Sequence, residues 1–208
     1  MNEFEEEIEK TLQNLAIPFK KMEHEAMFTM DQYTEIETKL ETKVPKNLFL
    51  CNQQHTKFYL LLMPGDKRFK TKELSKQINS ARLSFANEEE LSEDLHCFKG
   101  CTNPFGLIYD QNNAIQLLID DDLLKEKTLG FHPCINSVTL SISTEDFLTK
   151  YLPFCPSSLY FSEAHRGVRK DGVYPSVHSA FLTCFIDKEI RLRFKSTPMT
   201  LTVTISPI

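Results

Sequence analysis

Lys46 stands at the mouth of an apolar, strand-like run, Val44-Pro45-Lys46-Asn47-Leu48-Phe49-Leu50. A lysine anchored on stiff backbone there can turn its ammonium toward a cleft and stabilise charge developing on an acyl or phosphate oxygen. A lysine snorkelling beside a strand into solvent has the same local sequence, so the two readings are separated by the company the residue keeps. That company is Met63-Pro64-Gly65-Asp66-Lys67-Arg68-Phe69, Arg82-Leu83-Ser84-Phe85-Ala86, Gly100-Cys101-Thr102-Asn103-Pro104-Phe105-Gly106-Leu107, and Gly130-Phe131-His132-Pro133-Cys134-Ile135-Asn136-Ser137-Val138-Thr139. In the third of these, glycine permits close backbone approach and Pro104 fixes φ. Free N–H groups at Phe105 and Gly106 would then suit an oxyanion site, although an ordinary inter-strand loop reads the same way. His132 titrates near neutrality and can relay a proton, bond to an ammonium, shape a pocket or serve as a satisfied structural histidine; pocket shaping and recognition is the preferred role.

Other chemistries find less support. There is no G-x-S-x-G elbow around Ser84 or any other serine, and Cys51, Cys97 and Cys134 have no activating neighbour visible in the sequence, which argues against a covalent nucleophile. No phosphate-cradling loop or dinucleotide fingerprint occurs, so no cofactor is expected. His96-Cys97 with Cys101 is the one local cluster that hints at zinc. Its spacing matches no standard ligand pair, there is no CxxC, and no metal is expected.

In this order and at these distances, the quoted segments resemble the YbaK / prolyl-tRNA-synthetase-associated editing family, and most of all its freestanding ProX-like (PrdX-like) members, which are similar to Ala-tRNA(Pro) deacylases. The resemblance covers residues 1–153. It implies a trans-editing hydrolase acting on mischarged aminoacyl-tRNA, most of all Ala-tRNA(Pro). The alternatives are a Cys-tRNA(Pro) deacylase of the YbaK type and a non-catalytic tRNA- or synthetase-binding module. By the resemblance, Lys46 is the lysine on which editing depends, contacting the substrate carbonyl or terminal phosphate rather than attacking it. Gly100 to Gly106 matches the family's G-x-x-x-P loop, and His132 and Asn136 fall in a segment similar to its G-F-H-P-x-x-N motif. His24 and Thr29 match an early H-x-x-x-x-T element bordering the same cleft. Asn47 would orient the lysine or bond to the ribose, though strand alternation points it to the opposite face. Lys67, Arg68, Lys70, Lys72, Lys76 and Arg82 form the basic cluster that a tRNA acceptor end would seek, or else a solvated helix face. Implied partners are the acceptor end of a mischarged tRNA and prolyl-tRNA synthetase.

The bulk numbers agree with local rather than global nucleic-acid binding. The formal net charge is −5, and a protein that clings to nucleic acid by charge alone needs the opposite sign. Residues 1–154 hold 17 Lys+Arg against 25 Asp+Glu, a net of −8, while residues 155–208 hold 7 against 4, a net of +3. At 208 residues and 41% hydrophobic content, the chain suits one packed domain with an appendage. No apolar run has the roughly 20 residues needed to span a bilayer, and the acidic start lacks a signal-peptide pattern, so a cytoplasmic protein with no membrane contact and reduced thiols is expected.

These residues need elements to hold them. Phe4, Ile8, Leu12 and Leu15 predict an amphipathic helix over 3–15, followed by a strand at 18–21 and a helix from 30 or 31 to 40. Residues 47–52 and 57–63 read as a hairpin, 64–69 as a loop, 71–78 as a short helix and 82–86 as a strand. Asn87 with Glu90 predicts a capping box on a helix reaching 95. Residues 107–109 and 114–119 read as strands around a turn at 110–113, and 121–125 as a helical turn. Residues 130–133 read as a loop, 137–143 as a strand, and Thr144 as the cap of a closing helix to 152. Mixed strands and helices without regular βαβ alternation predict an α+β class: one domain over 1–154 with a mixed, largely antiparallel sheet and flanking helices. Residues 155–208 form a C-terminal extension with no family counterpart.

Overall fold

The computed structural model describes residues 3–26, 33–98 and 100–156. Thr29 and residues 157–208, hence nearly all of the expected extension, lie outside them.

The first helix, α1 (Glu3–Asn14), buries Ile8 and Leu12, the residues its 3.6-residue period predicts. Strand β1 (Phe19–Glu23) follows, then α2 (Thr34–Leu40), β2 (Lys46–Asn52), β3 (Phe58–Met63), α3 (Thr71–Gln77), β4 (Leu83–Phe85) and α4 (Glu88–Leu95). The second half adds β5 (Ile115–Ile119), β6 (Thr128–Phe131) and β7 (Val138–Ser143). The strands make two sheets rather than the single one expected. One is antiparallel in the order β1-β7-β6; the other runs β4-β2-β3-β5, antiparallel except for the parallel β3–β5 pair.

The second sheet is apolar on both faces, which is why its strands read as near-continuous hydrophobic runs. Phe49, Leu60, Leu62, Ile115, Leu117 and Ile119 face the main core, where they meet α1, α4 and the aromatic group Phe105, Phe131, Phe147 and Tyr151. Leu50, Tyr59, Leu61, Met63 and Leu118 face the other way, against Leu74 of α3. The two sheets are joined just before β2. Lys43 bridges to Leu129, and the Gly130 N–H donates to the Lys43 carbonyl at 2.9 Å.

Three expected boundaries are corrected. Residues 104–109 are a 3₁₀ helix (Pro104–Tyr109), not a strand, because Asn103 caps it and Pro104 occupies its first turn. Gly130 belongs to β6, not to a loop. A Cβ there would lie 3.0 Å from Thr42 Cγ2 and 3.1 Å from Val44 Cγ2, so glycine marks a close crossing of backbones. The closing helix is capped by Ser143, whose hydroxyl accepts the Asp146 N–H at 3.0 Å; Thr144 instead donates to the Glu126 carbonyl at 2.6 Å. That helix is not uniform: its middle, Phe147–Tyr151, widens into a π segment. Cys155, just past the expected domain end at 154, is only 2% exposed and packs in the main core.

Candidate active site

Lys46 is the first residue of β2, paired with Met63 of β3, so its side chain hangs over the turn that leaves β3. Its ammonium donates to the Gly65 carbonyl at 3.1 Å and to the Lys67 carbonyl. Partial burial lowers the Lys46 pKa, and Asp66 partly offsets this. The result is a cation held at the sheet's end by backbone acceptors.

Asn47 points to the opposite face, as strand alternation requires. It is Asn47 rather than Lys46 that touches the glycine-proline loop, its Nδ2 donating to the Thr102 carbonyl at 2.9 Å. Its buried Oδ1 has no hydrogen-bond partner among the described residues.

The loop itself divides in two. Gly100, at φ 89, is exposed and occupies backbone space that favours glycine. Pro104, Phe105 and Gly106 are buried. The expectation of a free N–H at Phe105 is not met, because that group donates to Asn103 Oδ1 at 2.8 Å. Gly106 faces inward: a Cβ there would stand 2.4 Å from the Leu95 carbonyl oxygen, so its small size serves the packing of α4 rather than substrate approach. Phe105 is wholly buried against Phe131 and Tyr151, and the Tyr151 hydroxyl donates to its carbonyl at 2.7 Å. What the loop offers outward is Gly100 and part of Thr102; Cys101 between them is buried.

His132 is 5% exposed and has both ring nitrogens engaged. A carbonyl can only accept, so the contact of Nδ1 with the Val138 carbonyl at 2.8 Å places the proton on Nδ1, and Nε2 accepts the Tyr33 hydroxyl at 2.8 Å. Burial, with a further push from His24 and against the pull of the Val138 carbonyl, lowers the His132 pKa to about 4. By the same logic the His24 Nδ1 donates to the Glu25 carbonyl at 2.8 Å and its Nε2 accepts the Thr139 hydroxyl at 2.9 Å. His24, Thr139, His132 and Tyr33 form one wall. Asn136, nearly buried, sits in the same segment, and its backbone partly offsets the rise that burial imposes on the Cys101 thiol pKa.

The basic cluster is partly neutralised. Lys67 is ion-paired with Asp120 at 2.6 Å and with Asp122; burial opposes its charge, but those two carboxylates outweigh burial and raise its pKa. Lys70 pairs with Glu73 at 2.7 Å. Both therefore have acidic partners within the chain. Lys72 and Lys76 lie one helical turn apart on the exposed side of α3, and Arg82 and Arg68 are exposed beside it.

Sequence reasoning passed over Tyr33 and Asn103. The first carries no local signal, since it meets His132 across 99 residues. The second does: an asparagine directly before a proline that opens a helical turn is a cap.

With this geometry in place, residues 24–150 match the family model of the aminoacyl-tRNA editing domain. The chain belongs to that family. This editing domain is 31% identical over 135 residues to the prolyl-tRNA editing protein ProX of Acetoanaerobium sticklandii, a match spanning 65% of this chain and 82% of that one. It is 30% identical over 151 residues to the prolyl-tRNA synthetase associated domain-containing protein 1 of Mus musculus, covering 71% and 89% respectively. Its fold is shared with a crystal structure of a proposed trans-editing enzyme for prolyl tRNA synthetase (TM-score 0.57, 17% identity, 71% of this chain and 91% of that chain). Among the described residues of the editing domain, no helix is long and apolar enough to cross a membrane.

Proposed function

We propose that this chain is a freestanding trans-editing hydrolase that cleaves mischarged aminoacyl-tRNA, with alanine on tRNA(Pro) as its preferred substrate. The observation that carries this reading is the editing-domain match over residues 24–150, together with the similarity to ProX. Hydrolysis adds water to the ester carbonyl; the oxyanion collapses, the terminal ribose oxygen leaves and takes a proton, and free alanine and reusable tRNA result. An aminoacyl ester is already reactive, so placement and charge stabilisation suffice.

Lys46 is the group assigned to that charge. Its carbonyl partners are acceptors that a substrate oxygen can replace, and its lowered pKa reflects a poorly solvated ammonium that gains from an anionic partner. The unpartnered Asn47 Oδ1 offers an acceptor to a ribose hydroxyl or the substrate ammonium, beside the half-exposed Thr102 of the loop. His132, neutral at pH 7 and saturated with hydrogen bonds, is a positioning residue for the wall rather than a proton relay. A small pocket would admit alanine and exclude the proline ring on steric grounds.

The test is deacylation of alanyl, cysteinyl and seryl esters of tRNA(Pro) by the full chain and by Lys46→Ala. The alanyl ester should be cleaved fastest, and Lys46→Ala should lower its turnover at least about 100-fold, the usual effect of deleting one oxyanion donor, with an unchanged Tm. Normal turnover by Lys46→Ala removes the lysine from the mechanism. Salt-sensitive tRNA binding without hydrolysis of any ester replaces the enzyme with a binding module.

A further inference from the structure

At the end of β2 remote from Lys46, three side chains from separate segments converge. The Cys51 Sγ, fully buried, lies 3.6 Å from Nδ1 and 3.9 Å from Nε2 of His55, in the turn between β2 and β3. Glu90, in the first turn of α4, brings Oε1 against the same His55 Nδ1. One donor atom from each residue fits within a mutual 4.8 Å.

We propose that Cys51, His55 and Glu90 bind one zinc-class divalent cation, with water in the fourth position. A tetrahedral zinc ion with bonds of about 2.3 Å to sulfur and 2.0–2.1 Å to nitrogen holds those two atoms roughly 3.6 Å apart. The Cys51–His55 separation already has that value, so only Glu90 must draw back slightly to admit the ion. The donors are also set from outside, as ligand side chains require. Glu90 Oε2 accepts the Asn87 N–H at 2.8 Å, which leaves Oε1 directed at His55. Ser84 Oγ stands 3.5 Å from the Cys51 sulfur. Asn52 Oδ1 accepts the Thr56 and Lys57 N–H groups at 2.8 and 3.1 Å, fixing the turn that carries His55.

The donor set selects the ion. Thiolate with imidazole favours zinc or cobalt over calcium or magnesium, which take oxygen donors. One thiolate and one carboxylate neutralise a dication, so the bound site carries no net charge into the interior. Binding releases the thiol proton to solvent and changes no oxidation state. A nucleophilic Cys–His–Glu triad fits less well, because Cys51 has no exposure to a substrate, whereas a small ion can enter past His55, whose side chain is 46% exposed. The ion would fasten the hairpin tip to the start of α4, the helix that leads into the 97–103 loop.

The experiment is titration of cobalt(II) alone into the reduced, chelator-stripped full chain, reading the near-ultraviolet thiolate-to-cobalt band. Saturation at one cobalt per chain, with the band displaced by zinc, is expected. Glu90→Gln keeps the capping box and His55→Asn keeps a residue tolerant of positive φ, so both should fold, as circular dichroism will show, yet each should bind cobalt at least tenfold more weakly. Cys51→Ser should abolish the band, while Cys97→Ser and Cys134→Ser leave it intact. No saturable binding, an unchanged affinity in His55→Asn or Glu90→Gln, or a band that survives Cys51→Ser overturns the proposal.

Discussion

His132 shows how one side chain links stability to the wall of the candidate site. Its pKa falls from 6.5 to about 4 on folding, so between those values the unfolded chain binds the extra proton. The stability from keeping it neutral is complete above pH 6.5 and is lost as the pH drops toward 4, by about 3 kcal/mol in total. Urea unfolding at pH 7 and pH 4.5 should show this loss in the wild type and a flatter profile in His132→Asn. Asp94, raised by burial and neighbouring carboxylates to about 6, works in the opposite direction, but both chains carry it and it cancels in the difference. A second single-residue case is Gly106. Ala at this position would press its Cβ onto the Leu95 carbonyl, and Gly106→Ala should destabilise by about 1–3 kcal/mol, read as a lower urea midpoint at constant slope.

The loop from 97 to 109 depends on Asn103, which is wholly buried. Its Nδ2 donates to the Cys101 carbonyl at 2.7 Å and its Oδ1 receives the Phe105 N–H. Asn103→Ala leaves both backbone groups without those partners and should cost about 2 kcal/mol while loosening the Gly100 to Thr102 segment, so deacylation should fall along with stability. Around α3, the lysines make a contrast. If tRNA lies along this helix, Lys72→Ala with Lys76→Ala should reduce the slope of log affinity against log salt by roughly 0.7–0.9 per residue. Lys67→Ala should leave that slope nearly unchanged, because Lys67 is already compensated by Asp120 and Asp122. Parallel salt titrations of the variants check this.

Across the described domain, the main core takes residues from α1, α4, both sheets and the closing helix, up to Cys155. A chain ending at 154 loses that buried side chain, so it should be less stable than one ending at 156 by about 1 kcal/mol, as a denaturant titration of the two would show. Period and punctuation disclosed much of this architecture: the apolar spacing of α1, the alternating faces of β2 and β3, and the Asn87–Glu90 box are local patterns, written within a few residues of one another. The chemistry-bearing types at Lys46, the glycine-proline loop and His132 were legible for the same reason. Tertiary structure alone decided which neighbours those groups have. Asn47 meets Thr102 across 55 residues, His132 meets Tyr33 across 99, and Cys51 and His55 meet Glu90 only because β4, which leads into α4, pairs with β2. A hydrogen bond depends on position in space, and two partners far apart along the chain leave no periodicity to read; the free amide expected at Phe105, by contrast, was lost to a local cap, Asn103 two residues away, which the sequence did signal.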